Sequence, residues 1–267
     1  MTTLLQVSDP HFGTERPEVV DALEALARRR RPDLLVLSGD ITQRARRAQF
    51  AAAARFVERL GIPARLAIPG NHDIPLYDLF TRAFAPYRGF VREFGDDFAP
   101  VHESADIAVF GVRTTRRYRH KHGEVSDEQV AGIAAKLRAV PAEKLRVVVV
   151  HQPVDLPPDR KQRNLLRNRE AAVRTWVDAG VDLILGGHIH LPFLRALSRT
   201  FPDLPRRAWC GQAGTALSHR IRHEANNSVN FVSYRAGDAE AVFERWDFGG
   251  ASEGFVAIER HGLVLDR

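Results

Sequence analysis

Short apolar runs recur along the first two thirds of the chain, and each one ends abruptly in a polar motif. Five of them occupy residues 4–7, 34–37, 66–68, 147–150 and 183–185. Continuous apolar runs of this length are typical of parallel strands that are buried on both faces. Because ligands of open α/β sheets bind outside the carboxyl ends of such strands, we expect the five polar motifs to converge on one crevice.

Amphipathic stretches alternate with these runs and predict helices. They cover residues 18–29, 45–60, 127–140 and 170–179. After about residue 192 the helical periodicity stops, and turn residues separate short strand-like runs. These runs lie at residues 208–210, 229–234, 241–246 and 255–259. We expect them to form antiparallel strands of a second sheet, which makes the chain an α/β protein.

The composition sets the outer limits of these predictions. Of 267 residues, 44% are hydrophobic and 27% are charged, which is ordinary for a globular protein, and we expect a single domain over residues 1–267. No apolar run approaches the roughly 18–20 residues that span a bilayer, and residues 1–4 do not resemble the start of a signal peptide. The single cysteine, Cys210, is expected to be buried, and its lack of a partner favours a reducing, cytoplasmic setting.

Seven side chains in the polar motifs are of types that bind metals through oxygen or nitrogen. They are Asp9, His11, Asp40, Asn71, His151, His188 and His190. Carboxylate, amide and imidazole ligands without a thiolate suit Mn²⁺, Fe²⁺/Fe³⁺ or Zn²⁺, and seven ligands are about right for two ions. Asp40 is a candidate bridge because its two oxygens can bind different ions. Two such ions about 3.5–4 Å apart hold a hydroxide between them and stabilise in-line displacement at phosphorus.

Taken in order, the motifs Asp-x-His, Gly-Asp, Gly-Asn-His-Asp, His and Gly-His-x-His resemble those of the calcineurin-like metallophosphoesterase superfamily, and the resemblance covers residues 4–190. It implies a four-layer α/β/β/α sandwich of two mixed sheets flanked by helices. It also implies how the ligands divide between the two ions. One ion would be bound by Asp9, His11, Asp40 and His190, and the other by Asp40, Asn71, His151 and His188.

The resemblance also implies catalytic roles beside the metals. His72 is similar to the histidine that stays off the metals and donates a proton to the leaving oxygen, which an imidazolium does well. Asp73 is a candidate to orient His72, as carboxylates do for other functional histidines. Many relatives carry a further acidic residue after the bridging aspartate, whereas this chain offers only Gln43. The sequence therefore leaves open which group orients His72.

The formal net charge of +6 favours an anionic partner. Two basic segments, residues 113–122 and 159–169, follow strand ends on the metal-bearing edge, so we expect them to form a rim over the site. Their candidate contacts to the non-reacting part of a substrate are Arg116, Arg117, Arg160 and Lys161. Solubility alone is the alternative explanation for these charges. His120 and His122 are expected at the rim and not among the metal ligands.

Other polar features have ordinary structural explanations. Arginines within residues 28–31 and 44–47 adjoin predicted helices, and we interpret them as solvated residues at helix ends. Residues 211–216 and 226–228 resemble loops of small bacterial members of the family. Glycine and asparagine are also common turn residues, and we favour that interpretation here.

The sequence thus predicts a hydrolase of phosphoric esters that acts on phosphodiester bonds through two metal ions. The motif Gly70-Asn71-His72-Asp73 is most like the bacterial cyclic-nucleotide phosphodiesterases, because related lipid-A-pathway hydrolases typically have arginine in place of this histidine. Alternatives are a glycerophosphodiester or phospholipid head-group phosphodiesterase, a phosphomonoesterase and a nuclease. We expect a small anionic phosphodiester substrate and no nucleic-acid partner, because the chain lacks a sizeable extra DNA-binding module. A non-catalytic interaction scaffold is the remote alternative, since all seven ligands and His72 are present.

Overall fold

The computed structural model describes residues 1–158, 164–222 and 225–266, which contain six α-helices and twelve strands. The helices are α1 (Pro17–Arg30), α2 (Arg47–Leu60), α3 (Leu79–Phe84), α4 (Arg88–Phe94), α5 (Asp127–Ala139) and α6 (Arg169–Asp178). The strands are β1 (Thr2–Val7), β2 (Leu34–Leu37), β3 (Ala64–Ala67), β4 (Val101–Glu103), β5 (Ile107–Gly111), β6 (Leu145–Val149), β7 (Leu183–Gly186), β8 (Phe193–Ala196), β9 (Trp209–Gln212), β10 (Ser228–Tyr234), β11 (Glu240–Phe248) and β12 (Phe255–Val264).

The strands form two mixed sheets of six strands each. The first has the order β12-β11-β10-β1-β2-β3, and the second has the order β4-β5-β6-β7-β9-β8. In the first sheet β1, β2 and β3 are parallel, and β10 pairs antiparallel with β1. In the second sheet β5, β6, β7 and β9 are parallel, and β4 and β8 are antiparallel edge strands.

Three apolar clusters separate the layers. One cluster joins the first sheet to α1, α2 and α4, and a second joins the other sheet to α5 and α6. The third lies between the two sheets and includes Leu4, Val149 and Phe243. The central strands are therefore covered on both faces, which explains why their sequences are continuous apolar runs. This arrangement confirms the predicted α/β/β/α sandwich.

The strands after residue 192 differ from the sequence-based expectation. Strand β9, predicted at residues 208–210, pairs in parallel with β7 and belongs to the second sheet. Strands β10, β11 and β12 are antiparallel to one another but extend the first sheet through β1. The prediction of one separate antiparallel sheet was therefore wrong. The reason is that β10 is apolar on both faces: Phe231 packs towards the helices and Val232 packs between the sheets, so it fits an interior position.

The helices lie outside the two sheets. Helix α3 differs from the other helices because none of its residues packs into the core. No residue of α3 is buried, whereas α2 buries Phe50, Phe56 and Leu60 against the first sheet. Among the described residues, no helix is both long enough and apolar enough to cross a bilayer.

Candidate active site and its metal ligands

The structure brings the seven predicted ligands together where five strands end. The loops after β1, β2 and β3 of the first sheet supply four of them, and the loops after β6 and β7 of the second sheet supply three. Six fall into two groups whose ligand atoms lie within 4.8 Å of one another. The groups are Asp9 with His11 and His190, and Asp40 with His151 and His188. The seventh, Asn71, lines the same cavity as Asp40 and His188.

Two imidazole nitrogens face each other in the first group. Nε2 of His11 lies 3.1 Å from Nε2 of His190, and Oδ1 of Asp9 lies 3.2 Å from the same His190 atom. Nδ1 of His190 lies 2.8 Å from the backbone carbonyl oxygen of Arg220, which can only accept, so Nδ1 donates there and Nε2 is the nitrogen that faces the other ligands. Three electron-pair donors directed at one place fit a divalent cation.

The second group is built in the same way. Nδ1 of His151 donates to the backbone carbonyl of Ser38 at 2.9 Å, and its Nε2 lies 3.3 Å from Oδ1 of Asp40. Oδ2 of Asp40 lies 3.9 Å from Nε2 of His11 in the first group. The Asp40 carboxylate therefore lies between the two groups, which is the position that a bridging ligand needs.

Several buried polar atoms of the site have no hydrogen-bond partner among the described residues. They are Oδ1 of Asp9, Nδ1 of His11, Oδ1 of Asn71, Nε2 of His151 and Nδ1 of His188. A buried polar atom without a partner costs about 1–3 kcal/mol of stability. Five such atoms in one place therefore indicate that the site binds a further group. Carboxylate, amide and imidazole donors are the ligand set of borderline and hard divalent ions. The residues present therefore fit two metal ions.

Backbone strain is concentrated at the same positions. Five of the seven ligands have positive φ angles although they are not glycine: Asp9 (49°), His11 (47°), Asp40 (49°), His188 (73°) and His190 (57°). The described residues contain only three other such cases. Residues that carry a Cβ atom rarely adopt this left-handed backbone conformation, and residues held in it cluster at functional sites.

A glycine makes room for one of these strained turns. Gly39, with a φ of 99°, precedes Asp40, and a Cβ atom there would collide with the ring of His151. The Gly-Asp motif after β2 therefore has a packing reason: the ligand loop of the first sheet and the His151 ring from the second sheet are in direct contact.

Burial and neighbouring charges set the protonation states of the ligands. Burial lowers the pKa of both His11 and His188 to about 3, so both rings are neutral. Burial also disfavours a charge on His151, but the nearby Asp40 carboxylate outweighs it and raises the pKa of His151 to about 9. For Asp9 and Asp40, burial opposes ionisation, yet the adjacent histidines hold the pKa of both carboxyls below the usual range. Two ionised carboxylates are thus available to cations.

His72 lies beside the two groups without joining either. Its ring meets the ring of His11 edge-on, with centroids 4.8 Å apart, and its backbone N–H donates to Oδ1 of Asp40 at 2.7 Å. Its Nδ1 lies 2.9 Å from the backbone carbonyl oxygen of Gln43. That carbonyl is an acceptor, so it orients the ring by accepting the Nδ1 proton, and Nε2 is the nitrogen that remains for chemistry.

Asp73 does not orient His72 as the sequence suggested. Its two carboxylate oxygens accept hydrogen bonds from the backbone N–H groups of Ile41, Thr42 and Gly70 at 2.8–3.0 Å. The reason is the short 3-10 helix at Asn71–Asp73, whose turn brings Asp73 back under the loop that follows β2. Burial, together with the charge of Asp40, raises the pKa of Asp73 to about 7. Asp73 is a brace for the Asp40 loop.

A cavity of about 270 Å³ opens over the ligands and has a cationic rim. The rim residues that carry basic groups are Arg44, His120, Lys121, Arg220 and Arg222. Such a lining fits an anionic substrate. The expected rim position of His120 agrees with this cavity.

Two of the four predicted substrate contacts, Arg116 and Arg117, lie away from this cavity. Neither Arg116 nor Arg117 is among the described residues that line the cavity. The guanidinium of Arg116 instead contacts Glu124 at 3.2 Å and Gln129 at 2.6 Å, and that of Arg117 donates to the backbone carbonyl of Ala83. The charge of Arg116 is paired with Glu124, and the guanidinium of Arg117 is hydrogen-bonded within the protein. The other two candidates, Arg160 and Lys161, lie outside the described residues.

Arg220 is a site residue that the sequence interpretation missed. Its Nη1 donates to Oε1 of Gln43 at 2.8 Å and lies 3.4 Å from Nε2 of His72. The loop before it, including residues 211–216, is more than a turn: Ala216 N–H donates to the Ser8 carbonyl oxygen beside the first ligand loop. The available sequence signal was the Arg-x-Arg pair formed by Arg220 and Arg222 after this loop.

A model of the calcineurin-like phosphoesterase family matches residues 2–192, and this range includes all seven ligands and His72. The chain belongs to the calcineurin-like phosphoesterase family. Together with the two groups of ligands, this membership makes it a metal-dependent phosphoesterase.

Individual proteins are similar to this chain over most of its length. A probable glycerophosphodiester phosphodiesterase of Arcobacter nitrofigilis is 27% identical over 200 residues, covering 70% of this chain and 71% of that protein. A probable cyclic nucleotide phosphodiesterase of Rhodococcus erythropolis is 27% identical over 221 residues, covering 76% and 68%. The crystal structure of a dimetal phosphatase from Danio rerio shares the fold, with a TM-score of 0.65, 14% identity and 99% coverage of both chains.

Proposed function

We propose that this protein hydrolyses a small anionic phosphodiester with the help of two divalent metal ions. The observation that carries the proposal is the Asp40 carboxylate, whose oxygens lie towards ligand groups supplied by both sheets, with buried donor atoms still lacking partners. When bound, two ions there would supply Lewis-acid polarisation of the phosphoryl oxygens and a nucleophilic water.

The cationic rim would bind the substrate. Arg220 and Lys121 line the cavity together with His72, so a phosphodiester in the cavity meets positive charge beside the proposed proton donor. The side-chain oxygen of Gln43 holds the Arg220 guanidinium by a neutral hydrogen bond, so Arg220 keeps its full charge for an anion. A glutamate at position 43 would form an ion pair with Arg220 and weaken the attraction of Arg220 for an anionic substrate.

His72 would supply the proton that the leaving oxygen needs. The Gln43 carbonyl binds the proton on Nδ1, so the transferred proton is carried on Nε2, which lies beside Arg220. A departing alkoxide is a poor leaving group, and protonation by a positioned imidazolium contributes about 10²- to 10⁴-fold to such reactions. This chemistry suits alkyl phosphodiesters.

The relatives support diesters over monoesters. Both named relatives are described as phosphodiesterases, one for glycerophosphodiesters and one for cyclic nucleotides. Both substrate classes present a singly charged diester and an alkoxide leaving group, which are the features that the cavity serves. Within this class we propose cyclic nucleotides first, on the motif Gly70-Asn71-His72-Asp73, and glycerophosphodiesters second.

Hydrolysis assays of metal-reconstituted protein would test the proposal. Substrates are bis(p-nitrophenyl) phosphate, p-nitrophenyl phosphate, cyclic AMP, a glycerophosphodiester and single-stranded DNA. We expect diesters to be hydrolysed faster than the monoester, with activity lost on chelation and restored by Mn²⁺, Fe²⁺ or Zn²⁺. Asp40→Asn should abolish activity, whereas Asp21→Asn, an exposed aspartate on α1, should not. A preference for the monoester, or hydrolysis that survives chelation, would contradict the proposal.

A further inference from the structure

Helix α3 and the residue two positions before it expose large apolar side chains beside the active site. Tyr77, Leu79, Phe80 and Phe84 each expose between 71% and 79% of their surface. The rings of Phe80 and Phe84 lie 4.9 Å apart, so these two exposed side chains are in contact. Monomeric soluble proteins rarely expose such patches unless something binds them. We call these four residues the apolar ridge.

The position of the apolar ridge is fixed by polar contacts. Arg82 of α3 donates to the backbone carbonyls of Pro75 at 3.0 Å and Arg119 at 2.8 Å. Asp78 accepts from the Thr81 N–H at 2.9 Å and caps the helix. The one cation of this helical segment, Arg82, is therefore hydrogen-bonded within the protein, and the one anion, the exposed Asp78, is used as the helix cap. Large apolar side chains make up most of what the segment presents to the outside.

A basic surface adjoins the apolar ridge. Five arginines and one acidic residue, Asp78, line a cavity of about 520 Å³ together with Tyr77 and Thr81. We call the five arginines the arginine belt: Arg44, Arg46, Arg47, Arg88 and Arg92. The guanidinium of Arg44 lies 5.8 Å from the ring centre of Tyr77, so belt and ridge are in contact. Among the described residues, only Arg92 of these five has an acidic partner, Glu93 at 2.8 Å.

The arginine belt opposes the preference of the helix that it flanks. Helix α2 begins at Arg47 after Arg46 and has no acidic residue in its first turn. Cations at a helix N-terminus are unfavourable because this end of the helix already carries partial positive charge. The interpretation of these arginines as ordinary solvated helix-end residues does not account for their position, whereas an anionic partner would.

We propose that the apolar ridge and the arginine belt dock the protein on an anionic lipid surface. Phenylalanine, leucine and tyrosine side chains insert at the boundary between head groups and acyl chains, while arginines pair with lipid phosphates. A second copy of the chain is disfavoured as the occupant, because a symmetric contact would place the arginine belt against itself. The proposal goes beyond the proposed catalytic function and does not rest on it.

Docking in this way places the catalytic cavity next to the lipid surface. Arg44 lines both the belt cavity and the catalytic cavity, and Tyr77 follows His72 by five positions along the chain. The mouth of the site is therefore adjacent to the docked surface. A phosphodiester that is part of a lipid, or that is released at its surface, would have the shortest path into the cavity.

Vesicle flotation of the full chain tests the docking. Vesicles of phosphatidylcholine alone are compared with vesicles that also contain phosphatidylglycerol. We expect the protein to float with the anionic vesicles and not with the neutral ones. Raising the salt concentration should weaken the binding, because exposed charges are screened over roughly 8–10 Å at physiological ionic strength.

Three variants assign the binding to this surface. In the apolar variant, Leu79→Gln, Phe80→Gln and Phe84→Gln replace exposed side chains, so the fold is not at risk. In the belt variant, Arg46→Gln, Arg47→Gln and Arg88→Gln remove three charges outside the catalytic cavity. The control removes three charges by Arg28→Gln, Arg59→Gln and Arg138→Gln. These lie in the last turns of α1, α2 and α5, which lead into the amino ends of β2, β3 and β6, opposite the site.

The belt variant should lose about 100-fold in partition onto anionic vesicles, and the control should lose far less, because only charges at the surface contribute. The apolar variant should also lose at least about tenfold. Equal losses in the belt and control variants would mean that vesicle binding depends only on the net charge of the protein, which would overturn the proposal. A wild-type protein that does not bind anionic vesicles would also overturn the proposal, whether or not it binds polyglutamate as a model acidic protein. A wild-type dimer that is disrupted only in the apolar variant would overturn it as well.

Hydrolysis of soluble bis(p-nitrophenyl) phosphate, measured on the same variants, separates the two proposals. We expect all three variants to retain the metal-dependent rate of the wild type, because none of the substituted residues lines the catalytic cavity. Vesicle binding without hydrolysis would leave docking intact and remove the catalytic proposal. Hydrolysis without vesicle binding would leave the catalytic proposal intact and remove docking.

Discussion

At the scale of single residues, the Asp40 carboxylate connects more of the site than any other group described above. It lies within 3.3 Å of His151 and 3.9 Å of His11, and it accepts the backbone N–H of His72 at 2.7 Å. One side chain thus contacts both ligand groups and the loop of the proposed proton donor. Its removal should affect metal content first and chemistry second.

Replacing Asp40 by alanine should lower metal content from two ions per chain to less than one, because both sites lose the shared ligand. Elemental analysis of reconstituted protein gives the content directly, with Asp21→Ala on the surface of α1 as the control. Two ions retained by the Asp40→Ala protein would show that this carboxylate is not a bridge.

Replacing His72 by alanine should leave metal content near normal and lower the turnover of alkyl diesters by about 10²- to 10⁴-fold. The loss should be much smaller for a nitrophenyl ester, whose leaving oxygen needs little protonation. Rates across a series of leaving groups provide the measurement. Equal losses across the whole series would argue against proton donation by His72.

Replacing Arg220 by glutamine should lower kcat/KM for an anionic diester by about 10- to 100-fold, since a hydrogen bond to a charged group contributes about 1.5–3 kcal/mol. Metal content should stay unchanged, because only the backbone carbonyl of Arg220 supports His190. Arg116→Gln is the matched control, since its guanidinium is bound to Glu124. If the Arg116 variant is impaired and the Arg220 variant is not, the original rim prediction is the better one.

At the scale of elements, sequence periodicity predicted the elements that have a buried face. The four predicted helices correspond to α1, α2, α5 and α6, and each shows a stripe of apolar residues against a sheet. Helices α3 and α4 were not predicted. Both are short, and α3 has no buried side chain, so no stripe distinguishes it from a loop.

A pair of phenylalanine substitutions tests this difference between buried and unburied elements. Phe56→Ala on α2 removes a fully buried ring and should cost about 3–5 kcal/mol of unfolding free energy. Phe84→Ala on α3 removes a ring that is 75% exposed and should change the free energy by less than about 0.5 kcal/mol. Urea denaturation gives both values. A large loss for Phe84→Ala would mean that α3 packs more tightly than its exposure indicates.

At the scale of the whole molecule, the sequence predicted the convergence of the strand ends but not the sheet to which each strand belongs. The ligand motifs were recognisable because residue type and position after a strand are local properties. The pairing of β9 with β7 and of β10 with β1 is set by contacts between distant segments, which no local pattern encodes. The same holds for the rim: the direction of Arg116 depends on Glu124 and Gln129, and Arg220 is brought in by a loop that packs beside β1.

The ligand loops come from both sheets, three strands of one and two of the other, so a bound metal pair is also a cross-link through the middle of the sandwich. An unfolded chain cannot present these ligands together, so metal affinity becomes resistance to unfolding: about 2.7 kcal/mol at a free metal concentration 100 times Kd. We expect chelation to lower Tm, with the ends of β1 and β6 gaining amide exchange together although they belong to different sheets. For this fold, the lifetime of the folded protein then depends on the metal supply. A chain without metal is lost by unfolding as well as by inactivity.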